Sequence, residues 1–375
     1  MNALTDLRLN PHLLGLPPYV PGRSIEEVQE QFGLGEVVKL ASNENPLGPS
    51  PQAVAAFRAA LQEAHRYPGV ADQRLRQKLA DKNNSRYQAS FTEQNFIMGN
   101  GLTAILRTIG EAFIFEGGES VICTPTFPMY QTVTQRFGGK CIRVPHKNYR
   151  YDWQGMADAI TPDTRLLFIC NPNNPTGTLL RRDEVEALMA RVPPSVVVVF
   201  DEPYCDFVAD PNYSNAIDYV KNGRDQFLVL RSFSKLYGLA NLRLGYALGT
   251  EAMIEYLGRA RLPFETGDPV LCAAMAALED EAYVTRVQKL IAAEKQFLYE
   301  GFAQMDLDYV PSEANYILLV NLPRPAQVIN ERLLQRGVIV RPMGSFGMPD
   351  ALRVSIGTRA ENECLLGALR QTVLD

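Results

Sequence analysis

Six short apolar runs do most to fix what this chain of 375 residues can become. NFIM, SVICT, RLLFIC, SVVVVF, FLVLR and LGYALG recur from about residue 95 onward, separated by stretches with helical spacing such as LTAILRTIGEAFI and MYQTVTQRF. Runs of Val, Ile, Leu and Phe without polar alternation are strands buried on both faces. Their alternation with helices predicts βαβ units in a mostly parallel sheet covered by helices. After about residue 250 the rhythm changes: a long Ala-, Leu- and Glu-rich helical stretch spans roughly Cys272–Met305, then come strand-like NYILLV, VIVRP and LRVSIGT and a last helix, ENECLLGALRQTVL. The fold class expected is α/β: an N-terminal arm at 1–45 that belongs partly to the small domain, a large domain at 46–263, and a small α+β domain at 264–375, with the boundary at LPFETGDPV, where Pro and Gly weigh against a continuous helix.

Composition removes several classes. Lys plus Arg is 37 against 42 for Asp plus Glu, a net charge of −5, which gives no reason to expect nucleic acid or an anionic membrane as partner. A hydrophobic fraction of 46% is ample for a core and speaks against a disordered chain. The runs Leu166–Cys170 and Val196–Phe200 are too short to span a bilayer, and the N-terminus mixes charges and prolines into its apolar residues, unlike a signal peptide. Six cysteines with no C-x-x-C spacing read as thiols in a reducing cytoplasm, and three histidines (His12, His65, His146) make a His-based metal site unexpected.

Ligands of open α/β sheets bind beyond the carboxyl ends of the strands. Those ends read Gly99-Asn100-Gly101-Leu102-Thr103 after NFIM, Pro125-Thr126-Phe127 after SVICT, and Asn171-Pro172-Asn173-Asn174-Pro175-Thr176-Gly177 after RLLFIC. Asp201-Glu202-Pro203-Tyr204 follows SVVVVF, and Ser232-Phe233-Ser234-Lys235 follows FLVLR. G-N-G-L-T-A between strand and helix suits a phosphate at a helix N-terminus, or serves as a plain βα turn. It also invites a dinucleotide, but that needs an acidic ribose partner about 20 residues on, and Glu119 precedes the next strand instead of ending it. Asp201 closes a run of four valines and a phenylalanine, where a carboxylate is costly unless it meets a cation or caps a helix. Lys235 would ordinarily be a solvated lysine. Flanked by Ser232 and Ser234, with Arg243 eight residues on, it reads as an amine of lowered pKa beside a phosphate cup. Together the parts describe pyridoxal phosphate: its phosphate on Gly101, Leu102, Thr103, Ser232, Ser234 and Arg243, its ring stacked by Phe127, its ring nitrogen paired with Asp201, its ring hydroxyl bonded by Asn174 and Tyr204, and its aldehyde linked to Lys235.

The chain also resembles the fold-type I, class I/II pyridoxal-phosphate aminotransferases over nearly its whole length. PPYVPG, KLASNENPLGPSP, RYP, GNG, PTF, NPNNPTG, DEPY, SFSK, LRLGY, PSEANYILL, VIVRP and LRVSIGT carry the likeness in that order. PPYVPG and VIVRPMGSFGMPDALRVSIGT are particular to the histidinol-phosphate branch. The resemblance implies a transaminase with Lys235 as Schiff-base lysine and proton shuttle. It implies a homodimer in which Tyr67 reaches the neighbouring cofactor's phosphate, Arg353 as the residue that binds the substrate's anionic group, and Arg341 with Tyr19 as partners for a substrate phosphate. The implied reaction moves an amino group from L-histidinol phosphate to 2-oxoglutarate, with an aromatic amino acid as the alternative donor. The chain departs from the family's usual pattern at Leu102-Thr103-Ala104, at Asn241 and at Glu265-Thr266-Gly267, the last of which bears on the substrate pocket. A pyridoxal-phosphate decarboxylase or lyase would use the same lysine, whereas a regulator of this fold would need a DNA-binding module, and no spare basic segment exists for one.

Overall fold

The computed structural model describes residues 8–18 and 22–374. In chain order the strands are β1 (Val38–Lys39), β2 (Phe96–Gly99), β3 (Glu119–Thr124), β4 (Lys140–Pro145), β5 (Thr164–Cys170), β6 (Val197–Asp201), β7 (Phe227–Ser232), β8 (Gly245–Leu248), β9 (Tyr309–Val310), β10 (Tyr316–Leu319), β11 (Val338–Ile339), β12 (Arg341–Pro342) and β13 (Leu352–Ser355). All six apolar runs are strands of one seven-stranded sheet, ordered β2-β8-β7-β6-β5-β3-β4. Only β8 runs against its neighbours β2 and β7. The remaining pairs are parallel.

Side chains of β6 and β7 alternate between two apolar clusters, as a period of two requires. Val198, Phe200, Phe227 and Val229 face one cluster with Leu75, Leu79, Val185 and Leu271. Val197, Val199, Leu228 and Leu230 face the other, with Ile105, Leu106 and Ile109 of the helix Leu102–Phe113. Val198, Val199 and Phe200 are fully buried; each such side chain contributes roughly 1.5–3 kcal/mol, which makes this strand a rigid mount for whatever follows it. Continuing the alternation puts Asp201 and Ser232 on the face of the helix Leu102–Phe113, with Glu202 and Arg231 on the opposite one.

Three features differ from the sequence reading. β4 was not among the expected strands; it is an edge strand, only Val144 of which is buried. The Cys272–Met305 stretch is two helices, Asp268–Glu279 and Glu281–Ala303, broken at Asp280, whose carboxylate accepts from the Tyr283 N–H. The first of them packs with Leu271, Ala274 and Leu278 in the large-domain core, whereas Val287, Ile291 and Leu298 of the second belong to the core of the small layer. Asp280 therefore marks where the packing passes from one core to the other. The small layer is the antiparallel sheet β12-β13-β10-β9, joined by the parallel pair β1–β11 through which the N-terminal arm attaches.

Candidate active site

The strand register sets Gly99, Gly245 and Ser232 level with one another at the sheet edge, and Cys170 beside Asp201. The strand ends that carry the sequence-predicted residues thus lie at the same end of the sheet, with Asp201 level with Leu230, two residues before Ser232.

The helix Leu102–Phe113 begins without a side-chain cap. Its first N–H groups therefore point outward unpaired, with the positive end of the helix dipole behind them. Gly101 allows this turn at φ +75°, and a Cβ there would run into the Arg243 guanidinium. Arg243 itself sits at φ +51° and donates to the Ala240 carbonyl at 2.8 Å. Ser232 Oγ accepts from the Ser234 N–H at 3.0 Å, which fixes both hydroxyl-bearing residues at the end of β7. Helix N–H groups of Leu102 and Thr103, two serines and an arginine are the donors that an anion at this end of the sheet would call on.

Asp201 is 3% exposed. Its Oδ2 accepts from the Tyr130 phenol at 2.6 Å, while its buried Oδ1 has no partner among the described residues. Burial pushes this carboxyl up to about 7, against the Tyr130 hydrogen bond that lowers it and with Glu202 adding a further push upward. A bare carboxylate oxygen in such a place fits a cationic N–H that the chain does not supply. Lys235 Nζ donates to the Ser42 carbonyl at 3.0 Å and lies 5.8 Å from the centre of the Tyr204 ring. Burial lowers its ammonium to about 7; Arg353 and Arg243 lower it too, and Glu44 opposes them. Near neutrality such an amine is a nucleophile and a base. Phe127 is half-buried and meets Tyr130 edge to face at 5.7 Å.

Tyr204 is buried, its hydroxyl oxygen accepting from Asn43 Nδ2 at 3.1 Å, so its own proton is available to a ligand. Burial raises this phenol to about 12. Asn174, expected at a ring hydroxyl, has its Oδ1 engaged by Arg353 at 2.5 Å, which leaves its amide N–H₂ as the group to donate. Arg353 is 6% exposed, also donates to the Ala41 carbonyl at 2.8 Å, and stacks over Tyr316. Arg341 stands opposite Arg353 in the β12–β13 register, half-buried, with its guanidinium against Gly22. Tyr19, expected beside it, lies outside the described residues. Tyr67 stands apart from the cup: it is 79% exposed, its ring 4.9 Å from that of Phe264.

The sequence does not single out Asn43, Ser42 or Tyr130. The first two lie in KLASNENPLGPSP, a turn cluster with no chemical signature of its own. Tyr130 looks like any core tyrosine in the first turn of a helix pattern. Its one clue is that it follows Phe127 at helical spacing.

The arrangement fits pyridoxal phosphate on this chain's own geometry. The uncapped helix and Arg243 suit the phosphate, the orphaned Asp201 oxygen suits a protonated ring nitrogen, and the neutral amine of Lys235 suits the aldehyde.

Residues 35–369 match the family model for aminotransferase class I and II. The histidinol-phosphate aminotransferase of Moorella thermoacetica is 45% identical over 359 residues, covering 96% of this chain and 91% of that protein. That of Symbiobacterium thermophilum is 41% identical over 95% of this chain and 96% of that protein. Among solved structures, histidinol-phosphate aminotransferase from Sinorhizobium meliloti in complex with pyridoxal-5'-phosphate superimposes with a TM-score of 0.88 at 26% identity, covering 98% of each chain. Aspartate aminotransferase from Thermus thermophilus shares the fold, with a TM-score of 0.82 at 22% identity over 98% of this chain and 100% of that one. By sequence model, relatives and fold together, the chain is a member of the class I and II aminotransferases.

Proposed function

We propose that this protein is a pyridoxal-phosphate-dependent aminotransferase that converts L-histidinol phosphate and 2-oxoglutarate to imidazole acetol phosphate and L-glutamate. The observation that carries the substrate choice is the pairing of Arg341 with Arg353 across β12 and β13. The register brings two guanidinium-bearing residues level on neighbouring strands, a placement from which both can meet one anion. A phosphate dianion has the charge and the acceptor oxygens to satisfy two guanidiniums. The relatives' shared name points the same way.

The bound cofactor supplies an electron sink for the carbon that bears the amino group. Everything else is done by the chain. Lys235, neutral near pH 7, takes the proton from that carbon and returns it to the neighbouring position. Asp201 holds a proton on the ring nitrogen, Tyr204 and Asn174 donate to the ring oxygen, and Phe127 covers one ring face. Arg353 orients the substrate through its anionic end, while its bond to Asn174 ties the small layer to the cofactor site.

The working unit we propose is a homodimer. Tyr67, Phe264, Val70 and Leu262 are all more than half exposed, an apolar group that a second copy would cover. In that arrangement Tyr67 serves the neighbour's phosphate cup. Among the described residues no helix is long and apolar enough to cross a membrane, and we place the enzyme in the cytoplasm.

The deciding measurement is kcat/KM for histidinol phosphate, 2-oxoglutarate, phenylalanine and tyrosine in the wild type and in Arg341→Ala. A lost charge-assisted hydrogen bond costs about 1.5–3 kcal/mol, so the variant should lose roughly ten- to a hundredfold toward histidinol phosphate and much less toward 2-oxoglutarate. Equal losses assign Arg341 to general anion binding, and wild-type preference for phenylalanine or tyrosine makes the enzyme an aromatic aminotransferase.

A further inference from the structure

Beneath the site lies a phenol that none of the roles above uses. Tyr130 begins the helix Met129–Arg136 and is completely buried. Its ring is stacked on Phe168 of β5, 4.8 Å between centres and 9° from parallel, and Phe127 stands edge-on to it. Thr134 Oγ donates to its backbone carbonyl at 2.8 Å and makes a further hydrogen bond to Ser120 Oγ. A ring held in this way has one position for its oxygen, and that position is 2.6 Å from Asp201 Oδ2. The two oxygens of Asp201 are therefore unlike: one is bonded from below by the phenol, and the other is bare and buried.

We propose that Tyr130 is a positioning residue for the reaction: its phenol turns the Asp201 carboxylate so that Oδ1 faces the cofactor's ring nitrogen, and makes that carboxylate a weak enough base to leave the shared proton on the nitrogen. The second half follows from where the proton can sit. A buried carboxylate favours its neutral form, and only a hydrogen bond or a nearby cation opposes this. The groups facing Asp201 are Tyr130 from the helix, Cys170 from β5, and Glu202 and Tyr204 from the exit of its own strand. Of these only Tyr130 favours the ionised carboxylate through a hydrogen bond. Glu202 opposes it, although Glu202 is itself paired with Arg231 at 3.0 Å on the other face of the sheet. Without the phenol the proton moves from the ring nitrogen to Asp201, and the electron sink loses its positive charge. Phe127 gains from the same tyrosine, so one side chain aligns both the ring's stacking partner and its charge partner.

That role rests on Asp201 facing the ring nitrogen, and the test separates the two ideas. In the holoenzyme, the pH midpoint of the cofactor's visible absorbance reports the link to Lys235, which is faced by Arg353, Glu44 and Arg243. A positive ring nitrogen lowers that midpoint. Tyr130→Phe keeps the stack and removes only the oxygen. It should raise the midpoint by about half a unit to one unit and lower kcat about ten- to a hundredfold with KM little changed. In an Asp201→Asn background the same substitution should have no further effect on the midpoint. If Asp201→Asn itself leaves the midpoint unmoved, the reading of Asp201 is wrong and this role goes with it. If Asp201→Asn moves it and Tyr130→Phe does not, or if Tyr130→Phe shifts it equally in both backgrounds, Tyr130 is a core residue only. Should the Phe chain fail to fold, a 4-aminophenylalanine at position 130 is a weaker donor of nearly the same shape. It must move the midpoint upward, and an unchanged midpoint refutes the role.

Discussion

The titration of Lys235 gives the sharpest check on the electrostatics of the site. Its ammonium is lowered from 10.5 to about 7, chiefly by burial, then by the Arg353 and Arg243 guanidiniums, with Glu44 pulling the other way. At pH 7 about half of the cofactor-free chains then carry a free amine at this position, against about one in three thousand for an ordinary lysine, a roughly thousandfold gain in reactive form. The assay is the initial rate at which pyridoxal, which lacks the phosphate and so ignores the anion cup, becomes linked to the chain and trapped by borohydride, followed from about pH 5 to about pH 10. The rate should rise with a midpoint near 7 in the wild type. Glu44→Gln removes the one group that favours the ammonium and should lower the midpoint; Arg353→Met removes a cation and should raise it. The sign for stability follows from linkage. Because the folded value lies below the unfolded one, the unfolded chain binds the proton more tightly between about 7 and about 10.5. The cofactor-free fold should therefore gain stability as pH rises through that window, by about 2 kcal/mol once the full shift is discounted for water reaching a half-buried side chain. A wild-type midpoint above about 9, or variants that move it in the same direction, would refute the assignment of burial and these charges as its cause.

Two further outcomes test the cup and the assembly. Gly101→Ala places a Cβ against Arg243 at φ +75° and ψ 166°, whereas Gly117→Ala also has a positive φ of +76° but meets nothing within 4 Å. Both should lose stability, by about 1–3 kcal/mol, but only Gly101→Ala should weaken cofactor binding, about tenfold or more by absorbance titration; equal binding in the two variants would remove Gly101 from the cup. For the dimer, inactive Lys235→Ala chains mixed in equal amounts with inactive Tyr67→Ala chains should recover roughly a quarter of wild-type sites, because half the dimers are mixed and each of those has one intact site. A fully active monomer by light scattering would overturn shared sites.

What could be read before the structure was whatever the local pattern determines. β5, β6 and β7 announce themselves because strands buried on both faces need unbroken apolar runs, and the residues that follow them must then lie on the sheet edge. β4 escaped because an edge strand has no such need: Lys140, Arg143 and Pro145 are exposed, and their alternation is too short and too mixed to stand out. The break at Asp280 was hidden because Ala- and Glu-rich segments on both sides have the same helical period, and one aspartate cap carries the whole change of direction. The contacts across the site were out of reach for another reason. Asn43 meets Tyr204 from 161 positions away and Ser355 from 312, and no local pattern encodes a hydrogen bond between two layers that fold separately. Tyr130 was missed because its chemistry lies in one oxygen 2.6 Å from Asp201, while its ring behaves as ordinary core.

The unmet polar demands around the candidate site fall into two groups. Asp201 with a bare buried oxygen, Lys235 with a disfavoured charge, and an uncapped helix beside Arg243 all sit on the large-layer sheet and its exits. A single ligand carrying a cationic nitrogen, an aldehyde and a phosphate relieves the three together. Arg341 and Arg353 belong to the small layer, and that ligand does not reach for them. In the proposed function a second anion meets them, and because Arg353 bonds to Asn174 its arrival is felt at the first site. The division assigns the two ligands different standing. The first compensates three costs at once and is held as part of the structure. The second is held through Arg353 and exchanges at every turnover, since donor and acceptor must occupy that arginine in succession.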